Sequence, residues 1–374
     1  MLAAVSMFLP SPTSPAATAN KARKPILAAL LNGQTALPCY ESDITNTAHF
    51  TSDTFRACFA LSGMPQGLGA SYWSDSSNDQ IQISMGLVGD TPVPFILGQV
   101  DNAEIDQVKQ ILTLTGRDLS AVFIDTKTTE KYQNLTSSDI AGMLADAHGM
   151  QKNIAATTTK VGTYYVEDQV ALTREESEWD LLIYLAQHEG FDLWVSGNTL
   201  NFQPSVDLST AVPYVLIYSD AGAGGAGKFS SFTGLKMNRS QTLAKDVIVK
   251  VRTWNQINAK VYNVTAKRTQ ASKGQRSGGV AQTYSFTVPN LDEEGALNYA
   301  QQKAEEISRH ERVINADLAG DNSLSIRTPV QLVGTGTSFD QKYYPDSITR
   351  RISFEKYTMS LRAKNHSVES TVLA

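Results

Sequence analysis

Asp101-Asn-Ala-Glu-Ile-Asp-Gln-Val-Lys-Gln-Ile-Leu-Thr-Leu-Thr-Gly-Arg117 lies without a gap on Asp346-Ser-Ile-Thr-Arg-Arg-Ile-Ser-Phe-Glu-Lys-Tyr-Thr-Met-Ser-Leu-Arg362. The end residues, Asp and Arg, coincide. Thr113 falls on Thr358, and Leu112, Leu114 and Thr115 fall on Tyr357, Met359 and Ser360. Both stretches carry strand text. One copy stands early in the chain and the other near its end, with helix-bearing sequence between them. A repeated outer element in the order β–(α+β)–β implies a mainly β protein, with two related β-barrels flanking a small α+β domain.

Outward from the first copy, residues 23–125 read as strands. The run Pro25–Leu31 meets Asn32-Gly33, a hairpin signal. Phe55, Ala57, Phe59 and Leu61 alternate, with Arg56 on the opposite face. More strand text lies at 80–85, 93–100 and 111–115, and a helical turn fits only near Tyr72. The texture changes in residues 126–206. Thr136 with Asp139 forms a capping box ahead of Ile140, Met143, Leu144 and Ala147, with Gly149 as the stop. Thr173 with Glu176 forms a second box ahead of Trp179, Leu182, Ile183 and Ala186, closed by Gly190. A hairpin over 191–195 and 199–202 follows. Residues 207–366 return to β. Val247, Val249, Val251 and Thr253 share one face against Lys250 and Arg252, and Tyr284, Phe286 and Val288 repeat the pattern. Asn290 with Glu293 caps a long helix over 291–312. Leu297, Ala300, Ala304 and Ile307 point it at the second barrel. Residues 367–374 read as a C-terminal tail.

Residues 1–22 read as a flexible N-terminal tail. Met1–Leu9 is mildly apolar, but the basic cluster Lys21, Arg23, Lys24 follows it, the reverse of a secretory signal. The chain has 374 residues, 32 basic and 37 acidic, for a net charge of -5. That balance disfavours sequence-independent nucleic-acid binding. No apolar run approaches the ~18 residues of a membrane span. Two cysteines, Cys39 and Cys58, are too few for a disulfide scaffold or a zinc cage and read as buried thiols.

The loudest chemical motif is Gly222-Ala-Gly-Gly-Ala-Gly-Lys228, which satisfies G-x-G-x-x-G and nearly satisfies the P-loop pattern. Phe229 replaces the Ser or Thr that would hold Mg²⁺, and strand text follows where a helix would present its N-terminus to phosphate. It reads as a loop. The five histidines, His49, His148, His188, His310 and His366, are scattered and form no local metal motif. The paired carboxylates sit on helix first turns or exposed strand faces, where dipole support and solvation account for them. No catalytic, cofactor or metal residues are assigned from the residues themselves.

Several stretches together resemble the baseplate hub proteins of contractile phage tails, the phage late control D family. They are Asp53-Thr-Phe-Arg56, Leu112-Thr-Leu-Thr-Gly-Arg-Asp-Leu-Ser120 with Ile124-Asp-Thr-Lys127, and Thr136-Ser-Ser-Asp-Ile-Ala141. They continue with Leu185-Ala-Gln-His-Glu-Gly-Phe191 before Leu200-Asn-Phe202, and Tyr344-Pro-Asp-Ser-Ile-Thr-Arg350 with Leu361-Arg-Ala-Lys-Asn365. The resemblance spans about residues 25–366, and it extends to the trimeric base of type VI secretion spike proteins. It implies two tail-tube-like barrels per chain and a homotrimer of pseudo-six-fold symmetry. The implied partners are a central spike protein, a tail tube or tube-initiator protein and surrounding baseplate proteins, with no specific nucleic acid. It further implies a non-enzymatic virion protein without a cofactor, assembled in the host bacterial cytoplasm. Two other classes stay open: a hub-associated cell-wall hydrolase with its site in the middle unit, and a carbohydrate-binding adhesin, for which Trp73, Trp179, Trp194 and Trp254 would have to be exposed together.

Overall fold

Alternating burial builds the first part of the chain. β1 (Pro25–Leu31) reverses at Asn32 and Gly33 into β2 (Thr35–Leu37). Both turn residues take positive φ, 50° and 70°, which Asn and Gly tolerate. β3 (Cys39–Thr47) pairs with β4 (Thr54–Ala60), where Phe55, Ala57 and Phe59 point inward and Arg56 outward. Helix α1 (Ala70–Asp75) holds Tyr72 and buries Trp73. β5 (Gln80–Leu87), β6 (Val93–Asp106) and β7 (Ile111–Asp118) complete the order β3-β4-β7-β6-β5-β1-β2. Phe55, Phe59, Ile81, Ile83, Leu112 and Leu114 form its core. The structure is a computed structural model that describes residues 24–48, 50–128, 132, 135–158, 176–205, 211–219, 229–240, 247–255, 259–268, 282–288, 291–308, 312–365 and 372–373. The expected tail 1–22 and most of 367–374 lie outside them.

The middle unit contains α2 (Ala121–Asp125), β8 (Lys127–Thr128), α3 (Ser137–Ala147), β9 (Gln151–Ile154), β10 (Glu176–Ser177), α4 (Glu178–Glu189), β11 (Phe191–Ser196) and β12 (Thr199–Pro204). The Thr136/Asp139 capping box forms as read. The buried face of α3 is rotated, however: Ile140, Ala141, Leu144 and Ala145 are buried, while Met143 and Ala147 are exposed. The second helix starts later than its sequence suggests. Thr173 lies outside the described residues, and the cap is Ser177 with Asp180. Gly190 ends the helix at φ 69°, in the left-handed region where glycine pays no Cβ penalty. The two helices pack with the three-stranded sheet β11-β12-β9 around Leu182, Leu185, Leu200 and Phe202.

The last part contains β13 (Tyr214–Ser219), β14 (Phe229–Ser230), β15 (Gly234–Arg239), β16 (Val247–Asn255), β17 (Lys260–Arg268), β18 (Gln282–Thr287), α5 (Glu293–Ser308), β19 (Arg312–Ala319), β20 (Val330–Val333), β21 (Lys342–Ser353), β22 (Tyr357–Asn365) and β23 (Val372–Leu373). Its strands fall into two sheets. β13, β14, β15, β19, β20, β21 and β22 surround Leu216, Ile314, Leu332, Ile348 and Leu361. The order β18-β16-β17-β23 is a separate sheet, covered on one face by α5. The helix expected on the second barrel therefore packs on this small sheet, through Ala296, Ala300 and Ala304 against Val247, Val249 and Val251. Asn290 lies outside the described residues. The Asp292 carboxylate accepts the Gly295 N–H at 2.7 Å near the helix start, and Arg312 already belongs to a strand.

The fold is mainly β, as the patterning implies, but no closed barrel is present among the described residues. β3 leaves its own half and pairs with β21 over Thr47–Glu41 and Ser347–Ser353. That pairing fuses the two halves into one 14-stranded sheet. Ile352 and Tyr357 in turn enter the core of the first half, so the β21–β22 hairpin belongs to both cores.

Candidate functional site

The repeated sequence becomes two β-hairpins, each with an arginine near a bulged aspartate. In β6–β7 the register shifts between Val100 and Asn102, which leaves Asp101 as a bulge residue. Arg117 grips it with Nε at 2.8 Å and Nη2 at 2.9 Å, and also reaches Asp125 at 2.9 Å. These two carboxylates hold the Arg117 guanidinium above its ordinary pKa. In β21–β22 the shift falls between Pro345 and Ser347 and leaves Asp346 as the bulge residue, here with Arg362 opposite Ser347 where Arg117 stands opposite Gln99. Arg362 Nε approaches Asp346 at 3.2 Å and Lys364 Nζ at 2.6 Å. Partly exposed pairs of this kind contribute about 0–1 kcal/mol each. Their effect is to fix register at a bulge, where a one-residue slip would turn the strand inside out.

Both hairpins point the same way. β6, β7, β4, β3, β21 and β22 are antiparallel in succession, so β6 and β21 run in the same direction and both turns emerge at one end of the sheet. Four strand spacings separate the hairpins, roughly 19 Å along the sheet. Each turn exposes a large apolar residue: Val108 is 94% exposed and Phe354 60%.

A buried polar seam lies where the two halves and the middle unit meet. Arg350 is 1% exposed. Its Nη1 donates to Asn46 Oδ1 at 2.8 Å, its Nη2 donates to the Leu324 carbonyl, and its guanidinium lies 4.2 Å from the Phe95 ring centre. Burial lowers its pKa. Asp53 accepts from Asn46 Nδ2 and from the Thr47 N–H, both at 2.7 Å, and burial raises its pKa. Asp118 accepts the Ser120 N–H and hydroxyl, and Ser120 Oγ lies 2.7 Å from Ser52 Oγ. Burial, then the Asp53 charge, pushes Asp118 up to about 7. Tyr357 donates to Asn322 at 2.7 Å, and Asn322 donates to the Met85 carbonyl at 3.0 Å. The middle unit is tied in by Trp179 Nε1 on the Phe50 carbonyl at 2.8 Å. It is tied again by Arg327, which lies over the Trp194 ring and 3.3 Å from Asp192. Chemically the seam is a set of struts between units.

The other sequence candidates do not converge on either feature. The run 222–228 lies outside the described residues. The described residue that follows it, Phe229, begins the short strand β14, which pairs antiparallel with β13. Cys39 and Cys58 are buried and unbridged, and burial pushes the Cys39 thiol up to about 12. His148, at the C-terminus of α3, meets Glu178 at 2.5 Å. Trp73 and Trp179 are buried, and Trp254 is 47% exposed. Sequence reasoning missed the seam. Asp118 and Arg350 stand inside quoted motifs, but nothing local marks a charged residue as buried.

No family model matches the sequence, and no curated protein matches it. Among solved structures, the chain is similar to the tail protein of Neisseria meningitidis MC58, with 12% identity, a TM-score of 0.67, and coverage of 91% of this chain and 96% of that one. It is similar to the 43 kDa tail protein of prophage MuSo2 from Shewanella oneidensis, with 13% identity, a TM-score of 0.64, and coverage of 91% and 98%. A third is the E. coli c3393 protein, a type VI secretion component described as structurally similar to T4 tail proteins gp27 and gp5. It gives 11% identity, a TM-score of 0.53, and coverage of 92% and 79%. The chain thus shares its fold with phage tail proteins and with a type VI secretion component.

Proposed function

We propose that this chain is the structural hub of a contractile phage tail baseplate. Three copies form a ring of pseudo-six-fold symmetry that joins the tail tube, or a tube-initiator protein, to the central spike. The observation that carries this reading is the duplicated hairpin. One chain presents two bulged hairpins, each with an Asp–Arg pair, pointing the same way from one sheet. Three such chains offer six roughly equivalent prongs, which suits a six-fold partner on one side and a three-fold partner on the other. On this reading residues 23–125 and 207–366 each supply a tube-like module, and 126–206 braces them through the seam. Ring closure needs heterologous contacts, with the first module of one chain against the second module of the next. The protein works by shape, as a virion component without a cofactor, in contact with surrounding baseplate proteins. The fold shared with phage tail proteins supports this reading.

Light scattering on the chain mixed with its spike protein tests it. A mass of three hub chains per complex is expected. A stable dimer, or one hub chain per spike trimer, would overturn the ring.

A further inference from the structure

The small sheet of β16, β17 and β18 has two unlike faces. One is covered by α5. The other presents Lys250, Arg252 and Trp254 from β16, Asn263, Thr265 and Lys267 from β17, and Thr283, Ser285 and Thr287 from β18, all exposed. Trp254 pairs across the strands with Val261, which is 38% exposed. Among the described residues no carboxylate lies within ion-pair distance of Lys250, Arg252 or Lys267. The sequence makes this bias sharper. Residues 247–290 hold seven basic residues and no acidic one, although the chain as a whole is acidic. The remaining residues carry 25 basic against 37 acidic side chains. An acid-free, basic and partly apolar face therefore stands on an acidic protein.

We propose that this face is a docking surface for an extended acidic polypeptide segment of another protein. Lys250 and Arg252 are two residues apart on one strand, so their charges repeat about every 7 Å. That is also the spacing of carboxylates at alternate positions of an extended chain. The short hydroxyl and amide side chains around them leave the face flat and supply hydrogen bonds. The Trp254–Val261 pair supplies an apolar anchor at one end, the kind of contact that dominates binding energy. A single-stranded nucleic acid fits less well. Its platforms stack successive bases on several aromatics, whereas Tyr284 and Phe286 belong to the core on the α5 side and Trp254 is the one exposed aromatic of the three strands. This inference does not depend on the ring.

The test uses the full chain and three probes: a fluorescein-labelled poly-L-glutamate, the same length of poly-L-lysine, and a single-stranded oligothymidylate. The poly-L-glutamate should bind, with an affinity that falls at least tenfold between 50 and 300 mM salt, as expected for ion pairing. Lys250→Ser/Arg252→Ser/Lys267→Ser should weaken it at least tenfold, and Trp254→Ser should weaken it separately, both with unchanged melting temperature because all four positions are exposed. Equal binding by the triple variant, or no binding of poly-L-glutamate at low salt, would overturn the proposal. Tighter binding of oligothymidylate than of poly-L-glutamate would overturn the choice of a polypeptide.

Discussion

Asp118→Asn tests the seam through its pH dependence. Asp118 is 8% exposed and its backbone N–H donates to the Asp53 carbonyl at 2.9 Å; the Asp53 charge acts on its carboxyl, and the Arg350 charge acts on that of Asp53. In the unfolded chain Asp118 titrates near ~3.9, and in the folded protein at about 7. Between those values the folded state keeps a proton that the unfolded state has released. Stability from this group is therefore complete below pH ~4 and is lost as pH rises to about 7. Three pH units at ~1.36 kcal/mol each give a loss of about 4 kcal/mol. This is an upper bound, because Asp53 and Asp118 titrate as a pair. Asparagine keeps an acceptor for the Ser120 N–H and hydroxyl and cannot ionise. Urea unfolding at half-unit steps from pH 4 to 8 should show the variant gaining on the parent protein as pH rises, with the largest difference at pH 8. Parallel stability curves for the two proteins would refute the burial of an ionisable acid at this junction.

Two substitutions separate buried struts from surface clips. Arg350→Met should cost about 3–5 kcal/mol, because Asn46 and the Leu324 carbonyl lose a buried partner. Arg362→Met should cost at most about 1 kcal/mol, because its pair is half exposed. Equal losses in thermal melts would mean that the seam is not dry. Gly116→Ala should prevent folding of the first half. A Cβ there would stand 1.9 Å from the Gln99 carbonyl oxygen and 2.7 Å from the Phe55 ring, and a soluble variant with a parental melting temperature would contradict that close approach.

Much of this fold was legible because its strands alternate cleanly. Phe55, Ala57 and Phe59, or Val247, Val249 and Val251, declare their buried face by period alone. Helix boundaries were less legible where candidate caps crowd together. In Thr173-Arg-Glu-Glu-Ser-Glu-Trp-Asp180 two boxes stand end to end, and packing of Trp179 and Leu182 selects the later one. The face of α3 was misplaced by the alanines. Ala141 and Ala145 carry little hydrophobic signal, yet they fit the close helix contact that Met143 does not. Strand partners were the least legible. That β3 pairs with β21, 304 residues away at Thr45 and Thr349, is a long-range choice that no local pattern encodes. The seam follows from that same pairing, so its buried charges were hidden with it. The repeat was readable as sequence, but its meaning, an arginine closing on a bulged aspartate, needed the register.

The most direct measurement is a reconstruction, by electron cryomicroscopy without imposed symmetry, of the phage tail to which the proposed function assigns this chain. The account predicts a layer of three chains between tube and spike, with the Asp101–Arg117 and Asp346–Arg362 hairpins alternating at about sixty-degree steps around the axis and Val108 and Phe354 meeting equivalent sites on the adjoining six-fold ring. Six copies of the chain in that layer, or hairpins of one kind buried inside a protomer contact while the other kind faces solvent, would contradict it.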